Sequence, residues 1–505
     1  MRRRLAWCVA LLLGSACAAR GSDKAIDGVD KATFRFGPMA LGQAKDVDYT
    51  RAEGLGLVPT SPLDTYLNGV LAKLLAQSPV KGVPAHVYVR ASGDWAAKST
   101  ADANIYVALG TLLRLDNEDE VAALLAHEAS HIILGHANTD AAQSVQQRAL
   151  QLSALAAQAQ QVVDANQGKT GGGAKAVSGK VHVNDQSRAL LLNTMLVSPA
   201  WTRGQEREAD KLGTDLLVRA GYAPQAMSSL LRKQQSFETE RAANPQAVAL
   251  DQQFLGYDAT QKVSEQTSKA AAKKMGGAAD GLGALAGSAL GSALEWGSKK
   301  VDEASHSHPK TEERITEIDT YVAEEYSGTA PALQAASWES AKDQDGTADV
   351  LENYIAAIGA KGKLSDGDVA AARKLAKNGL SAPTHAHAYP NYVDAAVQIA
   401  GGDSAAALTD YQTALAGPEP AGGIYIEASA LYVQTGKNDK AVEVIESGYT
   451  RLQQPPSLTV PLIRTYRAAG RQSDADRLAT QCAARWPNLQ QTCSDAAQGG
   501  DAAPS

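Results

Sequence analysis

The C-terminal third of the chain repeats itself with a period of 34 residues. Glycines recur at this spacing, each followed five positions later by an alanine, and prolines close several of the units. These positions are Gly402, Gly436 and Gly470, then Ala407, Ala441 and Ala475, then Pro418, Pro455 and Pro487, with a weaker earlier copy at Gly367 and Ala372. Such a period is typical of tetratricopeptide helix pairs, which stack into an α-solenoid with a concave binding surface. We predict these repeats over residues 328–495 and a disordered tail at 496–505.

The length and charge of the chain limit what the remainder can be. A chain of 505 residues is too long to fold around a single hydrophobic core, so we expect two domains, with three possible. The formal net charge is -7, and the Lys and Arg residues are spread along the sequence rather than clustered. Because no basic stripe is present, we do not expect nucleic acid as a partner.

The first residues have the features of an export signal. MRRRLAWCVALLLGSACAAR combines three arginines, an apolar run and a zone of small residues suited to cleavage. The apolar run is about half the length of a membrane span, which favours a removed signal peptide at residues 1–19 over a short anchor. Cys17 resembles the lipidated cysteine of a lipoprotein signal, although the usual leucine stands one position too early. A lipoprotein and an ordinary secreted protein remain equally open, so membrane contact would be peripheral or through the lipid.

Two cysteines remain beyond the signal, Cys482 and Cys493. In an exported protein, an even pair at short spacing is compatible with a disulfide that closes a small loop. Two buried free thiols are the alternative.

Apolar patterns predict a small sheet that leads into a helix. AHVYVR (residues 85–90) alternates as a strand does, and the pattern of ANIYVAL (103–109) predicts a second strand. LLAHEASHIILGH (124–136) then has helical spacing. The expected fold is therefore mainly α with a small β-sheet.

That helix carries the spacing of a metal site. His127 and His131 are four residues apart, so both side chains project from one helical face and can ligate one ion through nitrogen. Glu128 lies one step round the helix, where its carboxylate can act as general base toward a water. His136 points away from that face, and the glycine and third histidine of the metzincin pattern are not in place. We interpret His136 as a capping or surface histidine, and a chance HExxH on a buried helix is the competing interpretation.

A third ligand must then come from elsewhere in the chain. The stretch RGQEREADKLG places Glu206 and Asp210 four residues apart on a predicted helix. Glu206 offers an oxygen ligand, and Asp210 is suited to orient a ligand histidine. In isolation the same residues would be interpreted as a solvated charge run.

Three motifs occur in an order that resembles a known family. They are LLAHEASHIILGH, RGQEREADKLG followed by AGYAPQAM, and SHPKTEERITEI. This order is similar to that of the zinc metallopeptidases of the CAAX prenyl endopeptidase and HtpX type, and through its motifs the resemblance covers about residues 45–325. A periplasmic branch of the family also joins the peptidase to tetratricopeptide repeats behind a signal peptide. The resemblance implies a zincin-like (gluzincin) peptidase domain at residues 20–325.

The resemblance also assigns roles to individual residues. It implies one zinc ion per chain on His127, His131 and Glu206, with Glu128 as catalytic base and Asp210 behind the ligands. It further implies that the HPxxxxR motif, from His308 to Arg314, lies near the metal. For His308 three roles stay open: a plug that ligates the resting zinc, a stabiliser of the transition-state oxyanion, or only a helix-start signature.

The sequence departs from the family in two respects. DWAAKSTADANIYV replaces the Gly-rich lead into the edge strand, and unusual insertions occur, including a Gly/Ala-rich segment at residues 267–301. In that segment Gly283, Gly287 and Gly291 would line one helix face, which permits close approach of another helix or a bilayer component. A flexible covering segment is the alternative.

Two functions remain after these steps. The first is a zinc endopeptidase of the bacterial cell envelope, in the periplasm and possibly at the outer membrane. It would cleave misfolded or stalled outer-membrane polypeptides, with the substrate adding as a strand beside ANIYVAL. Its repeats would recruit outer-membrane assembly machinery or another envelope protein. The second is a repeat adaptor or chaperone with a latent peptidase domain. The presence of Glu128 favours the enzyme, because an adaptor needs no base beside its ligands.

Overall fold

The computed structural model describes residues 24–37, 40–54, 56–137, 201, 203–243, 311–328, 331–344 and 346–499. The signal peptide with Cys17, the segment at 267–301 and His308 lie outside these residues.

Helices dominate the described parts of the chain, which confirms the predicted mainly α fold. In the N-terminal part they are α1 (Gln43–Glu53), α2 (Ser61–Leu75), α3 (Leu109–Leu112), α4 (Glu118–Ile133), α5 (Arg203–Arg219), α6 (Ala226–Ala243) and α7 (Thr311–Glu325). Across the described ranges, no helix has both the length and the apolar composition that crossing a bilayer requires.

A three-stranded sheet lies between these helices. Its strands are β1 (His86–Arg90), β2 (Ala97–Ser99) and β3 (Asn104–Ala108), in the order β1-β3-β2. β3 runs parallel to β1 and antiparallel to β2, and all five of its residues are buried. The prediction of an edge strand at ANIYVAL is therefore wrong, because AKS folds back to pair with it. A three-residue strand is too short to show alternation in sequence.

The helix α4 is stabilised at its N-terminus and buried along its length. The side chain of Asn117 accepts a hydrogen bond from the backbone N–H of Glu120 at 2.9 Å, which satisfies one of the free N–H groups of the first turn. Acidic residues in that turn are favourable at the positive end of the helix dipole. All residues of α4 are buried, so the helix forms the centre of the N-terminal core.

The packing of α5 against α4 depends on Gly213. A Cβ at this position would lie 3.2 Å from the backbone nitrogen of His127 and 2.7 Å from the Met227 methyl group. Any larger side chain would therefore push the two helices apart beside His127.

The C-terminal part is built of antiparallel helix pairs, as the 34-residue period predicts. Its helices are α8 (Ala335–Lys342), α9 (Ala348–Ser365), α10 (Val369–Gly379), α11 (Ala388–Ala400), α12 (Ser404–Ala416), α13 (Gly422–Gln434), α14 (Asn438–Arg451), α15 (Pro456–Ala468), α16 (Gln472–Arg485) and α17 (Gln490–Gln498). Gly402, Gly436 and Gly470 adopt positive φ in the turns inside the pairs, a conformation that glycine adopts without steric cost. The alanines five positions later are fully buried where the two helices meet.

The prediction of a disordered tail from residue 496 is wrong for its first residues. Ala496 and Ala497 belong to α17 and are buried. The reason is local: Cys493 on α17 forms a disulfide with Cys482 on α16, and the two helices pack together. Residues 500–505 lie outside the described part of the chain.

The repeats are packed directly on the N-terminal part of the chain. The helix α1 lies against α13 and α15, where Ala52 joins the apolar core of the last repeats. Arg51 forms an ion pair with Glu419 at 2.9 Å and donates to the Pro420 carbonyl at 3.2 Å. A Cβ at Gly422 would overlap the Ala52 carbonyl group. The two parts therefore share a buried interface and are packed directly against each other.

Gly422→Ala should destabilise this interface. We expect the free energy of unfolding to fall by about 1–3 kcal/mol, since the added methyl group meets backbone that cannot rotate away. Chemical denaturation measures this change. Gly362→Ala is the matched control, because a Cβ there meets nothing within 4 Å; equal stability of the two variants would contradict the proposed close contact.

Candidate metal centre

Three donor groups converge where α4 meets α5. The Nε2 atoms of His127 and His131 are 3.1 Å apart. The carboxylate oxygens of Glu206 lie 3.7 Å from the first of these nitrogens and 3.8 Å from the second. All three residues are buried. In the described residues this is the one set of His, Cys, Asp and Glu side chains that could hold a metal ion.

The geometry of this set fits zinc. Tetrahedral zinc with ligand bonds of about 2.0–2.2 Å separates its donor atoms by roughly 3.3–3.6 Å, close to the observed spacing. Two imidazoles and a carboxylate are also the protein ligands of a common class of catalytic zinc site, which leaves a fourth position open. Without a bound cation, two nitrogen lone pairs and a carboxylate would face one another in a buried space, which is energetically unfavourable.

A buried carboxylate and a buried arginine hold the first ligand. Asp210 Oδ1 lies 2.9 Å from His127 Nδ1. Arg314, on the first turn of α7, donates to both oxygens of Asp210, through Nε at 2.8 Å and Nη2 at 2.7 Å. Its Nη1 lies 3.1 Å from Glu206. One guanidinium group thus fixes the ligand carboxylate and the carboxylate that orients His127.

These contacts also set the charge of Asp210. Burial alone would raise its pKa, but the adjacent Arg314 guanidinium and the contact with His127 hold the pKa below its usual value. Asp210 is therefore an ionised acceptor, which favours the His127 tautomer with hydrogen on Nδ1 and a lone pair on Nε2.

Glu128 stands beside the donors without joining them. Its side chain is buried, and its Oε2 has no hydrogen-bond partner among the described residues. Burial is the largest influence on this carboxyl and raises its pKa. A carboxylate that is poorly solvated and readily protonated is suited to general base and general acid chemistry.

The structure places His136 differently from the prediction of a capping or surface residue. His136 is buried, its Nδ1 lies 2.9 Å from the Nδ1 of His131, and its Nε2 lies 3.2 Å from Glu208. On a continued helix a residue five positions after His131 would be turned away by about 140°. The helix instead ends, Gly135 adopts a positive φ of 68°, and the chain brings His136 back against His131.

The structure brings together His127, Glu128, His131, Glu206, Asp210 and Arg314. Sequence reasoning missed Gly213, which permits the close approach of α5, and Trp201, whose ring stacks on His131 at 4.5 Å. A glycine inside a helical pattern was the available signal for Gly213. No spacing rule could have pointed to Trp201.

Comparison with known proteins agrees with this geometry. Peptidase family M48 matches residues 63–322, which is more than half of the chain. The chain belongs to peptidase family M48. This is a family of zinc metalloproteases, and the predicted family is confirmed.

Among curated relatives of this M48 chain are two beta-barrel assembly-enhancing proteases. That of Yersinia pestis is 28% identical over 171 residues, which cover 34% of this chain and 32% of the relative. That of Escherichia coli (strain K12) is 26% identical over 208 residues, which cover 40% of each chain. The matches thus span about a third to two fifths of the relatives' length.

Asp210→Asn should weaken zinc binding without removing a ligand. We expect a loss of affinity of about 10–100-fold, since the amide leaves His127 less firmly oriented and less basic. Competition with a chelator measures this loss. Asp343→Asn, at an exposed position after α8, is the control; unchanged affinity in a folded Asp210→Asn protein would contradict the assigned role.

Proposed function

We propose that this chain is a zinc-dependent endopeptidase of the bacterial cell envelope that acts in protein quality control. Its substrates would be misfolded or stalled outer-membrane proteins, and its location the periplasm, either free or held at the outer membrane by a lipid on Cys17. The signal-like N-terminus and the similarity to beta-barrel assembly-enhancing proteases support this assignment. The observation that carries the catalytic part is the buried Glu128 carboxylate beside three convergent metal donors.

The chemistry follows from the positions of the side chains. When bound to His127, His131 and Glu206, zinc supplies a Lewis acid that polarises the scissile carbonyl and lowers the pKa of water. Glu128 takes a proton from the attacking water and delivers it to the nitrogen of the leaving amine. Asp210 and Arg314 keep the imidazole of His127 in one orientation during these steps.

The strand that would pair with substrate is β2 rather than β3. Both sides of β3 are already occupied by β1 and β2, so an extended peptide has no place beside it. The outer edge of β2 pairs with no other described strand, and β2 packs against α4, which carries Glu128. Backbone groups of a peptide can therefore add to β2 and lie along the helix of the catalytic base.

The repeats would recruit a partner through the surface that stacked helix pairs present. They are helix pairs of tetratricopeptide length, and outer-membrane assembly machinery or another envelope protein is the proposed partner. Since α1 is buried against α13 and α15, deleting the repeats would uncover peptidase residues. Substitutions on exposed repeat positions are therefore the better test of recruitment.

An adaptor with a latent peptidase domain is the second candidate. It would bind through the repeats and would need no general base. The retention of a buried carboxylate at Glu128, whose Oε2 has no hydrogen-bond partner among the described residues, costs solvation free energy and argues for the enzyme.

Glu128→Gln should separate metal binding from catalysis. Zinc content should stay at one ion per chain, while hydrolysis of an unfolded protein substrate should fall by several orders of magnitude, because only the proton acceptor is removed. Metal analysis and a cleavage assay measure the two effects. The control is Glu324→Gln, at an exposed position on α7; undiminished cleavage by Glu128→Gln would refute the mechanism.

His308→Ala tests the three roles that the sequence leaves open. A plug that occupies the open zinc position predicts faster basal proteolysis in the variant. An oxyanion stabiliser predicts slower proteolysis with zinc retained. If the rate and the zinc affinity were both unchanged, His308 and Pro309 would only mark the start of a helix.

A further inference from the structure

The ligand His131 has neighbours at both ring nitrogens and on one face of the ring. Its Nε2 faces His127 and Glu206, and its Nδ1 lies 2.9 Å from the Nδ1 of His136. The indole ring of Trp201 stacks on its face, with ring centroids 4.5 Å apart and planes inclined by 17°. His131 is fully buried, so no water replaces these contacts.

The contact between the two Nδ1 atoms constrains the positions of two hydrogens, one on each imidazole ring. A neutral imidazole has one N–H donor and one acceptor nitrogen. If Nε2 of His131 is to ligate zinc, its Nδ1 must carry hydrogen and donate it to Nδ1 of His136. The hydrogen of His136 must then lie on Nε2, and that atom is 3.2 Å from the Glu208 carboxylate. These hydrogen positions are mutually compatible: His131 donates to His136, and His136 donates to the Glu208 carboxylate.

The two histidine ligands are therefore oriented by different neighbouring groups. His127 meets the Asp210 carboxylate directly, whereas His131 meets an imidazole whose far side contacts Glu208. One helix, α5, supplies both carboxylates and the ligand Glu206.

We propose that His136 is a positioning residue that fixes the tautomer and ring orientation of His131 and thereby raises metal affinity. This inference rests on the metal site of the proposed function. His136 is not one of the three metal donors, since its contact is with the Nδ1 of His131, on the side of that ring away from the other donors.

The test is metal binding by the full-length, metal-free chain. Zn²⁺ affinity is measured by competition with a chelator, and Co²⁺ binding by its visible absorption spectrum, which reports ligand geometry. Three variants are compared, His136→Leu, His136→Asn and His136→Gln. An Asn amide oxygen can replace Nδ1 and accept from His131, a Gln amide reaches instead toward Glu208, and Leu offers no acceptor.

We expect His136→Leu to bind Zn²⁺ about 10–100-fold more weakly than wild type, in line with other residues that orient metal ligands. His136→Asn should recover most of this loss and His136→Gln should not, and the Co²⁺ spectrum should change in Leu and Gln alone. The control is His86→Leu, a partly exposed histidine that contacts Asp64 and Asn68.

Each outcome bears on the proposal. Wild-type affinity in His136→Leu, or equal affinities of the Asn and Gln variants, would overturn it. The Asn and Gln pair decides the matter even if the Leu variant does not fold, because the two side chains have the same polarity. If the wild-type chain itself bound neither Zn²⁺ nor Co²⁺, the metal site and the proposed function would fail as well, which is a distinct result.

Discussion

The buried pair of Arg314 and Asp210 is the interaction on which the site depends. Both groups are almost fully buried and joined by two hydrogen bonds. Removing one partner of such a pair leaves an uncompensated charge, at a cost of about 3–5 kcal/mol. Because Arg314 belongs to α7, Asp210 to α5 and the attached His127 to α4, this pair ties three helices together at the metal ligands. The fold and the donor geometry are thus maintained by the same contacts.

Placing the chemistry on a fully buried helix has a structural benefit. Side chains on packed helices are held in single rotamers by their neighbours, whereas loop residues are less constrained. His127, Glu128 and His131 all lie on α4, and Gly213 lets α5 approach closely enough to place Glu206 opposite them. Among the described strands, β2 lies at an edge of the sheet, packs against α4 and has two partly exposed residues, which is why we propose it as the strand that a polypeptide joins.

Much of this arrangement could be predicted from sequence, and the failures have physical reasons. Spacings of four within helices depend only on helical geometry, so the pairs His127–His131 and Glu206–Asp210 were found. The repeats were found because each unit obeys the same packing rule. The strand β2 was missed because three residues carry no period. His136 was misplaced because the turn at Gly135 reverses the chain, and periodicity holds only while a helix continues.

The packing of α1 on the last repeats joins the two ends of the described chain. Ser457 donates to the carbonyl of Ala52, and Gln453 donates to Asp48, each across 405 positions of sequence. Contacts between such distant residues form only after most of the chain is available, and they slow folding because a long loop must close first. The helix α1 therefore cannot pack against α13 and α15 until those C-terminal helices have been synthesised. The packing around α1 is thus completed only when the whole chain has been made.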